Sequence, residues 1–264
     1  MSSKLKKRRK ASVCYNCGTQ LLSNENYCPN CGQENNSKQA SLRDLFDDFL
    51  GDYFVFDSRL FRSIVPLVAS PGKITIEYLN GKRRRYIPPI RVFLFLSFLY
   101  FGLSYLTGID FGSMDLSAGE SEQVAKNVGD AFERNFNLVL FLYTPIFALL
   151  IRLFYKSEKR NFYVNFFVYS LHLFSLFFIL GILQILLFMG FNLVLSSNAG
   201  EWGETIVRLS VLGYMIYYSI VSLKRVFQKK YSALRFLGVL VISLVAFLIL
   251  LLATTLILLF IYAQ

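Results

Sequence analysis

The chain has 264 residues, of which 55% are hydrophobic and 17% aromatic, and its formal net charge is +11. With a mean hydropathy of +0.46, the apolar content exceeds what a water-soluble core of this length needs, which excludes an ordinary soluble domain. The composition predicts an all-α multi-pass membrane protein with a small polar head. A net positive charge can indicate nucleic-acid binding or membrane topology, and the positions of the charges along the chain decide between the two.

Residues 1–12 carry a run of cations between Lys4 and Lys10. Such a run predicts a disordered basic tail. Because no apolar stretch follows it, we expect no cleavable signal peptide, and the first membrane span would direct the chain to the membrane.

The four cysteines of the chain form two Cys-x2-Cys pairs that are separated by ten residues: Cys14, Cys17, Cys28 and Cys31. Paired thiolates on opposed turns can close around one zinc ion at about 2.3 Å per Zn–S bond, so this spacing predicts a structural Zn2+ site. A glycine follows each pair, Gly18 and Gly32, where we expect a positive φ. Four thiolates leave no open position for catalysis, and sensing of zinc or of redox state is the alternative role.

Residues 13–34 are interpreted as a zinc ribbon. The segment from Thr19 to Tyr27 is long enough for a short β-hairpin, with turn residues at Asn24, Glu25 and Asn26. A unit of this size cannot bury a self-sufficient core, so the metal would supply most of its folding free energy.

Residues 41–87 are predicted to form amphipathic or interfacial helices. Ser41 opens a capping-box-like sequence, and apolar residues at helical spacing follow it up to Gly51: Leu42, Leu45, Phe46, Phe49 and Leu50. A second apolar stretch, Leu60 to Val68, ends before Gly72, and a short segment from Lys73 to Asn80 follows. These stretches are too short to cross a bilayer, so we expect them to lie on the inner leaflet of the membrane.

A cluster of cations precedes the first span and consists of Lys82, Arg83, Arg84 and Arg85, with Arg91 just inside the span. Cations near a membrane surface attract anionic lipid by about 1 kcal/mol per residue. The cluster therefore predicts a topology anchor that contacts lipid head groups. A phosphate-bearing substrate or a nucleic acid is the alternative ligand.

Residues 88–264 are predicted to form the transmembrane domain. Five apolar stretches are near or above the roughly 17–25 residues that a helix needs to cross the hydrocarbon. They are residues 88–107, 137–154, 162–190, 205–223 and 235–262. Five crossings place the two termini on opposite sides of the membrane.

The basic residues indicate the orientation. Of the 28 Lys and Arg residues, sixteen lie in residues 1–91, four in residues 152–160 and five in residues 224–235. Five spans would bring these segments to one side, which the positive-inside rule makes cytoplasmic. We therefore expect a multi-pass protein of the bacterial inner membrane with its N-terminus in the cytoplasm and its C-terminus outside. The reducing cytoplasm favours metal binding over disulfides.

Polar residues inside the predicted spans are candidates for function. Four of them share one face of the third span: Asn165, Tyr169, His172 and Ser175. They are a candidate intramembrane polar site, as a proton relay or a substrate contact, and an interhelical hydrogen bond is the plain alternative. Tyrosines of the fourth span, Tyr214, Tyr217 and Tyr218, would line a cavity or simply pack.

No predicted span contains Asp or Glu, and the chain has no phosphate-binding loop or hydrolase motif. An enzyme is therefore not expected.

Several motifs in order resemble those of a family of uncharacterised bacterial inner-membrane proteins of unknown function, which have an N-terminal four-cysteine zinc ribbon and a multi-span hydrophobic domain. The motifs are Cys14-Tyr-Asn-Cys17-Gly18, Tyr27-Cys28-Pro-Asn-Cys31-Gly32-Gln33, Ser70-Pro71-Gly72 and Gly81-Lys82-Arg83-Arg84-Arg85-Tyr86 with Pro88-Pro89. Members often carry a histidine-rich stretch that opens a later span. Its counterpart here, Asn161 to Phe178, holds only His172, which argues against a metal centre within the membrane.

Three functions are compatible with these patterns. We expect a membrane-anchored zinc-ribbon adaptor or scaffold that docks a cytosolic or membrane partner protein. The alternative is a small transporter or channel for an amphipathic or lipid-like solute. Nucleic-acid binding is the weakest interpretation, because the ribbon offers only Tyr15 and Tyr27 as stacking platforms.

Overall fold

The computed structural model describes residues 11–35, 59–108, 122–156, 162–194 and 197–262, together with Ser41, Leu42 and Leu45. The chain divides into two compact units, one up to Val92 and one from Phe93. The regular structure of the described residues consists of seven helices, with isolated β-bridges and no strand. The predicted all-α class is confirmed for this part of the chain.

The ribbon in the N-terminal unit is held by two isolated antiparallel bridges, which pair Val13 with Gln20 and Tyr27 with Glu34. Each bridge encloses one cysteine pair. The β-hairpin predicted over Thr19–Tyr27 is therefore wrong, because Gln20 and Tyr27 pair with residues on the far side of their own cysteine pairs and not with each other.

A tight turn lies between the cysteine pairs. Glu25 accepts a hydrogen bond from the backbone N–H of Leu22 at 2.8 Å, and its own N–H donates to the carbonyl of Leu22 at 3.1 Å. The residues that flank this turn bond elsewhere: the N–H of Leu21 donates to the carbonyl of Ser12 at 2.8 Å, and the carbonyl of Asn26 accepts from the N–H of Asn35 at 2.7 Å.

The predicted basic tail and the amphipathic helix predicted from Ser41 to Gly51 lie largely outside the described residues. Of that helix, Leu45 donates its N–H to the carbonyl of Ser41 at 3.2 Å and is buried. At the other end of the ribbon, Ala11 donates its N–H to the Asn35 side chain at 2.9 Å. The ordered ribbon thus extends slightly beyond residues 13–34.

Two short helices follow in the N-terminal unit. Helix α1 covers Arg59–Ala69 and helix α2 covers Lys73–Leu79. Gly72 separates them with φ +76°, a conformation that glycine adopts without steric cost. The two helices pack against each other.

A Schellman motif ends helix α2. Gly81 has φ +94°, its N–H donates to the carbonyl of Tyr78, and the N–H of Lys82 donates to the carbonyl of Glu77. This cap begins the segment from Gly81 to Arg85, which we call the basic turn. Beyond it, Ile87 donates its N–H to the Ser63 hydroxyl on α1 at 3.0 Å.

Five long helices follow, with these bounds: α3 Pro89–Thr107, α4 Glu122–Tyr155, α5 Tyr163–Val194, α6 Ser197–Phe227 and α7 Ser232–Tyr262. Each predicted span lies on one of these helices. Four segments are long and apolar enough to cross a membrane, namely Pro89–Thr107, Tyr163–Phe191, Trp202–Phe227 and Ser232–Thr254. The chain is therefore a membrane protein.

Helix α4 differs most from its prediction. It begins at Glu122, well before residue 137, because good helix formers such as Ala125 and Ala131 continue the helix outside the apolar stretch. Its described apolar part, Val139–Tyr155, is shorter than the other four segments.

Helices α4 to α7 pack in a closed ring, in which each helix contacts the next and α7 returns to α4. Tyrosine hydroxyls join neighbours in this ring: Tyr143 donates to the Ser243 carbonyl at 2.8 Å, and Tyr155 to the Ser232 carbonyl at 2.7 Å. Buried polar groups in an apolar medium need such partners. The outward side chains of α7, including Leu237 and Leu244, are apolar and exposed.

Helix α3 contacts this ring through aromatic side chains. Phe93 lies 5.1 Å from Phe141 of α4 and 5.6 Å from Phe178 of α5 between ring centroids. Tyr100 is fully buried and approaches Gly181 so closely that a Cβ there would lie 2.6 Å from its Cε2 atom. Glycine at 181 therefore permits the close approach of α3 and α5.

We predict that Gly181→Ala destabilises the membrane unit by about 1–3 kcal/mol, because the added methyl group displaces the buried Tyr100 ring. Gly190→Ala on the same helix is the matched control, since nothing lies within 4 Å of its Cβ position. Thermal unfolding of the detergent-solubilised chain checks this. Equal melting temperatures for the two variants would contradict the packing described.

Candidate metal centre

Each cysteine pair forms a tight turn with the same backbone bonds, which we call the first knuckle (Cys14–Gly18) and the second knuckle (Cys28–Gly32). The N–H of Gly18 donates to the carbonyl of Cys14, and that of Gly32 to the carbonyl of Cys28, both at 2.9 Å. The two glycines have φ +79° and +69°. The predicted positive φ after each pair is confirmed.

A second backbone hydrogen bond closes each knuckle. The N–H of Cys14 donates to the carbonyl of Thr19 at 2.9 Å, and that of Cys28 donates to the carbonyl of Gln33 at 2.8 Å. The two knuckles thus repeat one geometry, which directs two thiols from each toward a common centre.

The four sulfur atoms meet closely enough to hold one metal ion. All lie within 4.8 Å of one another, with 3.6 Å between Cys14 and Cys31 and 3.5 Å between Cys17 and Cys28. A tetrahedral ion with Zn–S bonds of about 2.3 Å requires sulfur atoms about 3.8 Å apart. The donor set therefore fits a tetrahedral metal site, and it leaves no open coordination position.

The four thiols lie in different environments. Burial raises the pKa of Cys14 to about 12 and also raises that of Cys31. The Thr19 hydroxyl, 3.2 Å from the Cys17 sulfur, and the Thr19 backbone N–H lower the pKa of Cys17 to about 6. Binding of a divalent cation deprotonates all ligands, so it must overcome the burial of Cys14 and Cys31.

The apolar core of the ribbon is very small. Leu21 packs with the buried Cys14 and Cys28, and Cys31 lies partly buried beside them. One leucine is far from the apolar area that a self-sufficient core requires. The ribbon depends on its ligand for folding free energy.

The side chain of Gln33 joins the ribbon to the basic turn. Its Nε2 donates to the Gly81 carbonyl at 2.8 Å, and its Oε1 accepts from the backbone N–H groups of Arg83 at 3.1 Å and Arg84 at 3.2 Å. Gln33 is buried at 8% exposure. Three hydrogen bonds, one buried and two partly buried, therefore fix the ribbon to residues that lie about fifty positions later.

Two further contacts support this attachment. A Cβ at Gly81 would lie 3.0 Å from Cβ of Tyr15, the residue after Cys14, and one at Gly32 would lie 3.8 Å from Nη2 of Arg84. Tyr15 thus packs on the glycine of the cap. The Arg84 guanidinium lies beside the second knuckle.

Glu77 neutralises part of the basic turn. Its carboxylate accepts from the Tyr86 hydroxyl at 2.7 Å and lies 3.6 Å from Lys82 Nζ and 3.8 Å from Arg85 Nε. Burial works to raise the pKa of Glu77, but these partners outweigh it and the pKa is lowered. Burial and then Glu77 raise the pKa of Tyr86 to about 12.

The other predicted lipid contacts have different surroundings. The Arg83 guanidinium lies 5.9 Å from the ring centroid of Tyr78, a cation–π distance. Arg84 and Arg85 are exposed, whereas Arg91 is half-buried near the start of α3. Within the part of the chain that the structure describes, Nε of Arg91 is buried and has no hydrogen-bond partner.

The predicted intramembrane polar site lies on one buried face of α5, where Asn165, Tyr169, His172 and Ser175 are all at most 6% exposed. Tyr169 forms a hydrogen bond with Ser222 of α6 at 2.7 Å, which is an interhelical contact. Ser175 donates to the Leu171 carbonyl of its own helix at 2.7 Å. The first bond packs α5 against α6, and the second satisfies a buried hydroxyl within α5.

The tyrosines of α6 do not share one surface. Tyr218 is buried, whereas Tyr217 is 56% exposed. The rings of Tyr214 and Tyr218 lie 6.0 Å apart, and those of Tyr214 and Tyr217 lie 6.3 Å apart. A single polar lining from all three tyrosines is therefore not formed within this helix.

Three residues of this region were not predicted as site residues: Tyr15, Gln33 and Glu77. Tyr15 lies within the first knuckle, and Gln33 directly follows the second. The cysteine motif therefore gives their positions, but no sequence pattern gives their partners in the basic turn. Glu77 was the only acidic residue between Ser70 and Arg91, and this isolation among cations was a usable signal.

Comparison with known proteins finds one family. Residues 57–101 match the model of a family described as a protein of unknown function, DUF3667. The match covers α1, α2, the basic turn and most of α3, which is less than half of the chain. No curated protein and no solved structure matches.

We predict that Glu77→Gln increases the rate of tryptic cleavage in the basic turn about fivefold at neutral pH, because a charged hydrogen-bond acceptor is worth at least about 1 kcal/mol. The lowered pKa of Glu77 means that its contribution is full near neutrality and is lost as the pH falls through its folded-state pKa. Glu204→Gln on α6 is the control. An unchanged cleavage rate for Glu77→Gln would contradict its role.

Proposed function

We propose that the chain is a membrane-anchored zinc-ribbon adaptor, in which the ribbon docks a partner protein and the helices localise it. The observation that carries this proposal is the closed set of four thiols, with sulfur pairs at 3.5 and 3.6 Å. Four sulfur ligands in tetrahedral arrangement suit Zn2+, which here would have a structural role. Bound zinc would supply folding free energy, and the four thiolates would hold the knuckles together.

Exposed apolar side chains on the ribbon give it a means of docking. Leu22 is 66% exposed and Tyr27 is 64% exposed. Aromatic and aliphatic side chains of this kind serve as anchors at protein interfaces. The partner would be a protein with apolar pockets for these two side chains.

We also propose five membrane crossings, with α4 as the fifth. Its apolar part, Val139–Tyr155, reaches the lower end of the roughly 17–25 residues needed for a span. The distribution of Lys and Arg supports an N-terminus in the cytoplasm of a bacterium and a C-terminus outside its inner membrane.

Anionic lipid is the proposed membrane partner of the basic turn. Arg84 and Arg85 are exposed, and Arg85 lies four residues before Pro89, the first residue of α3. Arg91, half-buried near the start of α3, would add a further cation near the membrane surface. Helices α1 and α2 would lie on the inner leaflet beside the turn.

A transporter or channel for a lipid-like solute is the alternative function. Its support would be the polar face of α5, but the Tyr169 hydroxyl is bonded to Ser222 and the Ser175 hydroxyl to Leu171. Hydroxyl groups used in helix packing are less free to bind a solute, so we favour the adaptor.

We predict that Leu22→Ala with Tyr27→Ala abolishes partner capture without loss of zinc, because both side chains are exposed and neither is a ligand. Cys14→Ser with Cys17→Ser should lose both the zinc and the partner. Quantitative mass spectrometry of proteins that co-purify with each variant, with zinc analysis, checks this. Identical partner sets for all three proteins would argue against the adaptor.

Reporter fusions test the topology. Alkaline phosphatase fused after Gln264 should be active and a fluorescent protein there dark, since five spans put this end outside. Fusions after Lys229 should give the opposite result, because this basic segment faces the cytoplasm. With the N-terminus in the cytoplasm, the reverse pattern, Lys229 outside and Gln264 in the cytoplasm, would mean four crossings and would contradict a crossing by α4.

A further inference from the structure

Gln33 depends on the metal centre for its position. Its carbonyl accepts the N–H of the ligand Cys28 at 2.8 Å, and it follows the ligand Cys31 by two residues. A ribbon whose core contains one leucine beside its cysteines folds only when its ligands are held together. Loss of the metal would therefore release Gln33 from its buried position.

The basic turn depends in turn on Gln33. The backbone N–H groups of Arg83 and Arg84 both donate to its Oε1, and the Gly81 carbonyl accepts from its Nε2. These three groups directly follow the Schellman cap of α2. Without Gln33, the Arg84 N–H would lose this acceptor, and the Arg83 N–H would keep only its bond to the Gly81 carbonyl at 3.0 Å, so the turn would be held less firmly.

Arg84 provides an independent link. Its guanidinium lies beside the second knuckle, with Nη2 3.8 Å from the Cβ position of Gly32. Four thiolates around one divalent cation carry a net negative charge. Occupancy of the metal site would thus attract Arg84 toward the ribbon.

We propose that metal occupancy of the ribbon controls whether the basic turn is ordered at the start of the first span, with Gln33 as the positioning residue. By thermodynamic reciprocity, the turn also strengthens metal binding. The ribbon is then a metal-responsive element and not only a docking module. This inference rests on the proposed zinc site.

Trypsin provides the test, because the basic turn contains four consecutive cleavage sites, Lys82 to Arg85. The full chain in detergent is digested with its zinc and after chelation under reducing conditions, and fragments are identified by mass spectrometry. Chelation should increase cleavage in the basic turn about tenfold, and added zinc should reverse this. Cleavage after Lys156, in the membrane unit, is the internal reference and should not change.

Two matched pairs of variants isolate the contacts. Gln33→Met should keep its zinc but be cleaved about fivefold faster in the basic turn, whereas Gln20→Met, at an exposed glutamine of the same ribbon, should behave as wild type. Arg84→Gln should lose zinc to a chelator two- to about fivefold faster. Arg62→Gln, an exposed arginine of α1, should not.

Two results would overturn the proposal. If Gln33→Met keeps its zinc and its turn is as resistant as that of wild type, Gln33 does not position the turn, although the zinc site stands. If chelation of the wild-type chain leaves cleavage of the turn equal to the Lys156 reference, metal does not control its order. A purified chain that binds no zinc would instead remove the proposed function itself.

Discussion

The closure of four thiols around one centre is the interaction on which the N-terminal unit depends. Leu21 is the single non-cysteine member of the buried cluster found in the ribbon. Apolar burial at about 25 cal/mol per Å2 cannot offset the ordering of some twenty residues with so small a core. A bound metal ion would supply the difference, and the two knuckles bring the four sulfur atoms close enough to hold one.

The same small ribbon organises the basic turn. Through Gln33 and Tyr15 it contacts that turn, and Glu77 then gathers Lys82, Arg85 and Tyr86 around one carboxylate. This arrangement stands directly before the first span. It links a cysteine cluster that can hold a metal ion to the segment that would meet the lipid surface. The membrane unit is stabilised by different means, namely aromatic packing, close glycine contacts and hydroxyl groups bonded between helices.

Much of the architecture could be predicted because its signals are local. The four cysteines and the glycines after them specify both knuckles, and long apolar stretches specify the helices. The start of α4 at Glu122 could not be read from hydropathy, since the helix continues beyond its apolar part. The hairpin over Thr19–Tyr27 was wrong because Gln20 pairs with Val13 and Tyr27 with Glu34, each across a cysteine pair. The contact of Gln33 with Gly81 joins residues 48 positions apart and has no sequence pattern.

Zinc K-edge X-ray absorption of the purified full-length chain tests the central claim most directly. We expect one zinc per chain, coordinated by four sulfur atoms at about 2.3 Å, with no nitrogen or oxygen ligand. A zinc-free protein with reduced thiols, or a first coordination sphere containing water or other light atoms, would contradict this account of the ribbon.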